Sequence, residues 1–83
     1  MTAIALPPIT AKQRRVWEFI RNHNAATRTG TGYREICAAM GWRSPNASYG
    51  HCVALRRKGW ITFEPSRPNT IVPTAESLEV CDD

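Results

Sequence analysis

The segment between Gly41 and Gly59 carries the clearest punctuation in the chain, and it limits what the remainder can fold into. Ser44 is a strong helix N-cap, because its hydroxyl can accept one of the free N–H groups of a first turn. Pro45 follows at the first helical position, where its missing N–H costs nothing. Ser48, Cys52 and Leu55 then recur at i, i+4, i+7 and define one core-facing stripe. Arg56, Arg57 and Lys58 complement the negative end of the helix, and Gly59 is placed to close it in a left-handed conformation. Positions 44–59 therefore read as one capped helix with a single buried face.

The flanking segments supply what that face packs against. Thr10 is a good N-cap after the extended Leu6-Pro7-Pro8-Ile9, and Val16, Ile20 and His23 recur at helical spacing with Trp17 and Phe19 beside them. Thr27–Gly32 breaks this first helix with two glycines. A short second helix is expected from about Tyr33 to Met40, with Tyr33, Ile36, Cys37 and Met40 on one face and Gly41 as its C-terminal cap. The link Gly41-Trp42-Arg43-Ser44 has the length of a helix-turn-helix corner. After Gly59, Trp60–Glu64 reads as a strand, Pro65–Asn69 as a turn and Thr70–Val72 as a second strand that Pro73 ends. A lone hairpin is marginal in water, so this one is expected to pack on the helices through Trp60, Ile61 and Val72. The expected fold class is mainly α with a small β-hairpin, a three-helix winged helix-turn-helix.

Charge divides the chain. All eleven basic residues lie between Lys12 and Arg67, against only Glu18, Glu35 and Glu64 in positions 1–74, a net of +8. Positions 75–83 carry Glu76, Glu79, Asp82 and Asp83 and no base, a net of −4. Such a body favours polyanions as partners. The expected organisation is an N-terminal arm over 1–8, the winged domain over 9–73 and an acidic, disordered tail over 74–83. A second reading folds that tail back on the basic face, where it would suppress non-specific binding. No apolar run approaches the roughly 18–20 residues of a membrane span, and the first residues lack the basic start of a signal peptide, so a cytoplasmic protein is expected. His23, Cys37, His51 and Cys52 have metal-binding atoms at spacings that suit no zinc site. No metal or other cofactor is expected, and Cys37 and Cys52 read as small core hydrophobes. Cys81 is expected to be exposed.

In a helix-turn-helix the later helix enters the DNA major groove and presents its N-terminal residues to base edges. The positions of the Ser44–Gly59 helix that face away from its core stripe are Asn46, Tyr49, Gly50 and Val53, with Ala47 at the edge. Asn can bond an adenine edge through two hydrogen bonds and Ala can touch a thymine methyl, while Gly50 allows close approach. Arg34, Arg43, Arg56, Arg57, Lys58 and Arg67 surround that helix in the expected topology and are candidate contacts to the phosphate backbone.

These residues resemble a known family. Ile9–His23, Arg34-Glu35-Ile36, Met40–Ala47, Gly50-His51, Leu55 and Arg57–Ile61 are similar to the N-terminal winged-helix DNA-binding domain of the LexA repressors. The resemblance implies that Ser44, Asn46 and Ala47 lie in the base-reading segment and that Arg57 and Lys58 lie close to the backbone. It departs at Gly32, where relatives carry a Thr or Ser cap, at Cys52 in place of a core Leu, and at Tyr49-Gly50-His51, which mixes two branches of the family. LexA repressors continue into a self-cleaving peptidase domain with a Ser-Lys dyad. This chain has only Lys12 and Lys58 as lysines, no dyad is expected and no enzyme activity follows. The expected function is sequence-specific binding of double-stranded DNA in the major groove by a repressor-like regulator, with base-reading residues Ser44, Asn46, Ala47, Tyr49 and Gly50. A homodimer on a palindromic site, or a pairing with another regulator, is expected because a single module has a small footprint. The alternative is a winged-helix protein-interaction module using Tyr49, Val53 and whichever of Trp17, Trp42 and Trp60 stay exposed.

Overall fold

The computed structural model describes residues 6–64, 66, 67 and 69–80. The chain runs α1 (Ala11–Thr27), α2 (Tyr33–Met40), α3 (Pro45–Arg57), β1 (Ile61–Thr62), β2 (Val72–Pro73) and α4 (Ala75–Val80). This is a three-helix winged helix-turn-helix with a fourth, short helix after the wing.

Each main helix starts where its local chemistry dictates. Thr10 caps α1 by accepting the Gln13 N–H, and the Gln13 side chain accepts the Thr10 N–H in return. Ser44 caps α3 by accepting the Asn46 N–H at 3.2 Å. At α2 the cap is half-built: Gly32 has no side chain to offer, and only the Glu35 carboxylate, accepting the Gly32 N–H at 3.0 Å, closes the turn. Gly41 and Gly59 take positive φ of 75° and 79°, as the helix ends require. Arg28 ends α1 in the same left-handed region, so the glycines at 30 and 32 serve another purpose. A Cβ at Gly30 would collide with the backbone of Asn69 and Thr70, because the loop of the hairpin closes over this point.

The core is built from Val16, Trp17 and Ile20 of α1, Ile36 of α2, Cys52 and Leu55 of α3, and Trp60, Ile61, Phe63 and Ile71 of the hairpin. The hairpin therefore seals the helices through Phe63 and Ile71 as well as Trp60 and Ile61, while Val72, expected in the core, is only half-buried. The strands are shorter than their sequence suggests, for local reasons. The Trp60 N–H still bonds to the Leu55 carbonyl as part of the helix ending, so β1 starts at Ile61. Beyond Thr62 the Thr70 hydroxyl accepts the Glu64 N–H and takes the place of a backbone rung. Ile71 turns to the other side and exchanges both backbone bonds with Thr31 at 3.0 and 3.2 Å. Pro73, expected to end the second strand, pairs with Ile61 at an outer position where a missing N–H is tolerated.

Two segments read as appendages belong to the packed body. Leu6 and Ile9 pack on the core, and the Pro7 carbonyl accepts the Trp60 indole N–H at 2.8 Å. The tail expected to be disordered is helical over Ala75–Val80; positions 81–83, with Cys81, lie outside the described residues, as do 1–5. Thr74 starts α4. Its N–H bonds to the Trp60 carbonyl, its hydroxyl donates to the Gly59 carbonyl and accepts the Ser77 N–H. The Ser77 hydroxyl is fully buried, donates to the Thr74 carbonyl and accepts the Trp17 indole N–H at 3.0 Å. A six-residue helix is too short to hold itself together in water, and this docking is what orders it. Ser77→Ala is expected to lower stability by about 1 kcal/mol, since it removes the shorter of the two hydrogen bonds of a buried indole N–H and the bond to the Thr74 carbonyl. Urea unfolding reads this directly; an unchanged midpoint would mean that α4 is not docked on Trp17.

Candidate nucleic-acid interface

The orientation of α3 is set from behind. The Ser48 hydroxyl, fully buried, donates to the Tyr33 carbonyl at 2.9 Å and lies 3.0 Å from the Cys37 sulfur. The Cys37 thiol is also 3.0 Å from the Ser44 carbonyl. These polar contacts at the corner, with Cys52 and Leu55 in the core one and two turns further on, fix both the tilt and the rotation of the helix. The opposite face is free. Asn46, Ala47, Tyr49 and Gly50 are exposed, as is Ser44 at the cap. Tyr49 is 49% exposed, the largest value among the large apolar side chains. Among the described residues, nothing beyond its own stretch of helix lies within 4 Å of where a Cβ on Gly50 would sit. Val53, expected on this outer surface, is half-buried against the core instead. The apolar patch that motivated a protein-interaction reading is thereby reduced to Tyr49, and Trp17 and Trp60 are buried.

Five of the six expected phosphate-contacting residues are exposed: Arg34, Arg43, Arg56, Arg57 and Arg67. Arg34 and Arg67 line a groove of about 500 Å³ between the start of α2 and the hairpin loop. The Arg56 guanidinium sits 4.9 Å above the Phe63 ring, which holds it at the junction of α3 and the hairpin. Lys58 differs. Its ammonium donates to the Pro8 carbonyl at 2.9 Å and to the Gln13 side chain at 3.2 Å, so it is occupied in fastening the N-terminal arm. The sequence contained no signal for this, because the partners lie 50 and 45 residues away. Glu35 is similarly engaged: one oxygen caps Gly32 and the other lies 3.8 Å from His23.

The acidic helix α4 docks on Gly59 and Trp60, beyond the C-terminal end of α3. At 1.5 Å per residue that is about 20 Å from the reading end. Among the described residues neither Glu76 nor Glu79 forms an ion pair with a basic side chain. Among the described residues there is also no cluster of three His, Cys, Asp or Glu side chains able to hold a metal, and no helix long and apolar enough to cross a membrane. Thr31 and the pair Trp17–Ser77, both central to the packing, were invisible in the sequence; Thr31 had only the faint signal of a β-branched residue between two glycines.

Comparison with known proteins points the same way. The model of the LexA DNA binding domain matches residues 6–70. A LexA repressor of Caldicellulosiruptor saccharolyticus is 36% identical over 63 residues, which are 76% of this chain and 31% of that one. A LexA repressor of Polaromonas naphthalenivorans is 38% identical over 73 residues, covering 88% and 31%. One from Pectobacterium carotovorum is 45% identical over 53 residues, covering 64% and 26%. The chain thus spans less than a third of the length of these relatives.

Burial behind the reading helix has a measurable consequence. The Cys52 thiol is pushed up from 9.0 to about 12, first by desolvation and then by the neighbouring Cys37. The folded state therefore holds this proton at pH values where the unfolded chain has released it. Stability present below pH 9 is expected to decline as pH rises from about 9 towards about 12. Cys52→Ala should flatten that part of the pH–stability curve, and the wild-type thiol should resist alkylation at pH 8 until the protein is unfolded. Rapid alkylation of Cys52 in the folded protein would contradict this placement.

Proposed function

The chain belongs to the LexA DNA-binding-domain family, and from that premise we propose that it binds double-stranded DNA sequence-specifically, with α3 in the major groove, as a repressor-like transcriptional regulator. The observation that carries this reading is the shared exposure of Ser44, Asn46, Ala47, Tyr49 and Gly50 on the N-terminal half of a helix whose other face is locked into the core. Asn46 is the residue suited to an adenine edge, and Ala47 to a thymine methyl. Arg34, Arg43, Arg56, Arg57 and Arg67 supply the backbone contacts that position the helix. Lys58 is set apart from them by its bonds to the arm. The activity proposed is binding rather than catalysis, and a cytoplasmic location follows from a DNA partner.

A single module of this size covers roughly 600–1,000 Å² of DNA-facing surface. Useful affinity then calls for two copies on a palindromic site, each reading one half-site. Binding should weaken steeply with salt, with each neutralised phosphate adding about 0.9 to the slope of log K against log salt. Asn46→Ala is expected to relax discrimination at one base pair by about 1–3 kcal/mol, whereas Arg57→Ala should weaken all duplexes about equally and flatten the salt slope by about 1. Titration of a selected site and of random duplex at several salt concentrations separates the two effects; if both substitutions leave binding unaltered, α3 is not the reading element.

Gly50 offers an independent check. A methyl group there meets open space in the free protein and removes the entropic burden of a mid-helix glycine, so Gly50→Ala is expected to raise stability by about 0.5–1 kcal/mol. On DNA the same methyl would intrude where the backbone approaches closely, and affinity should fall. A variant that gains stability with unchanged affinity for the selected site would place Gly50 off the interface.

A further inference from the structure

Tyr49 does not stand alone on the reading face. Its ring meets Tyr33 of α2 edge-on, with centroids 5.5 Å apart and planes at 74°. Tyr33 in turn meets Phe63 of the hairpin at 6.0 Å and 84°. Phe63 also carries the Arg56 guanidinium 4.9 Å from its ring centroid. Phe63 is buried, Tyr33 half-buried and Tyr49 half-exposed, so the row leads from the core to the surface where DNA is expected. Edge-to-face contacts hold a ring in one orientation because the positive edge of one aromatic seeks the negative face of the next. An exposed tyrosine on a helix would otherwise sample several rotamers, and freezing one of them on binding weakens discrimination.

We propose that Tyr33 and Phe63 are positioning residues that aim Tyr49 at the DNA, so that the hairpin sets part of the sequence preference without touching the base that is read. This rests on α3 being the reading helix. The row acts locally: Asn46 and Ala47 lie outside it, and their base contacts do not depend on it. A residue that merely stabilised the fold would lower affinity for every duplex alike; a residue that aims Tyr49 alters discrimination at the one position Tyr49 meets.

The test is selection of bound duplexes from a random pool, followed by titration of the recovered site and its single-base variants. Tyr49→Ala is expected to flatten preference at one position of each half-site. Tyr33→Leu and Phe63→Leu should flatten that same position by roughly three- to tenfold, the range an aromatic pair is worth, and leave the other positions within about twofold. Tyr33→Phe keeps the edge contact and should retain the wild-type motif. Phe63 is buried, and its variant can fold poorly; Tyr33 is half-buried, and its variant, checked by thermal melting, carries the test by itself. The proposal is overturned if folded Tyr33→Leu weakens all duplexes equally with its motif intact, or flattens every position. Failure of the wild-type chain to select any motif would overturn the proposed function together with this inference, whereas an intact motif in folded Tyr33→Leu overturns the inference alone.

Discussion

The indole of Trp17 is the point on which the packing depends. It is fully buried, and its N–H is shared between the Trp60 carbonyl at 3.2 Å and the Ser77 hydroxyl at 3.0 Å. Its ring stands edge-on to that of Trp60, with centroids 5.7 Å apart, and Arg21 lies 5.0 Å above it. The Trp60 carbonyl also receives the Thr74 N–H, and the Trp60 indole donates to the Pro7 carbonyl. One pair of tryptophans thus joins the arm, α1, the end of α3, the hairpin and α4. In a chain of 83 residues that buries only roughly 60–65% of its unfolded surface, so large a share of the packing at one node leaves little in reserve.

That concentration has a functional corollary. The node gathers Pro7 and α4 at the C-terminal end of α3, away from the N-terminal end of that helix. Glu76 and Glu79 travel with α4 to the C-terminal end, and among the described residues neither pairs with a basic side chain. Lys58 neighbours Arg57 in sequence, yet its ammonium reaches the Pro8 carbonyl and the Gln13 side chain.

Where the sequence was legible, the interactions were local. The bounds of α2 and α3, the left-handed glycines at 41 and 59 and the stripe Ser48, Cys52, Leu55 follow from caps and periodicity within a few residues, and they hold in the structure. The exposure of Asn46, Ala47, Tyr49 and Gly50 follows from the same periodicity, because a helix with one buried face presents the opposite one. The hairpin was less legible. Its strands are shorter than their residues predict, because Trp60 reads as a strand residue while its N–H is still claimed by the helix before it. Val53 shows the limit of a helical wheel: it lies off the core stripe, but neighbouring elements reach round far enough to cover half of it.

By itself, then, the sequence determined the helix boundaries, the helix-turn-helix corner, the face of α3 turned to solvent and, through its motifs, the family. The tertiary structure alone decided that Thr31 pairs with Ile71, that Ser77 closes on Trp17 to make a helix of an expected tail, that Lys58 holds the arm, and that Tyr49 leans on Tyr33 and Phe63. The physical reason is distance along the chain. Capping and amphipathic burial act over three to seven residues and leave a pattern in the letters. A hydrogen bond across 60 residues leaves none, because either partner alone is an unremarked serine or tryptophan until the fold brings them together.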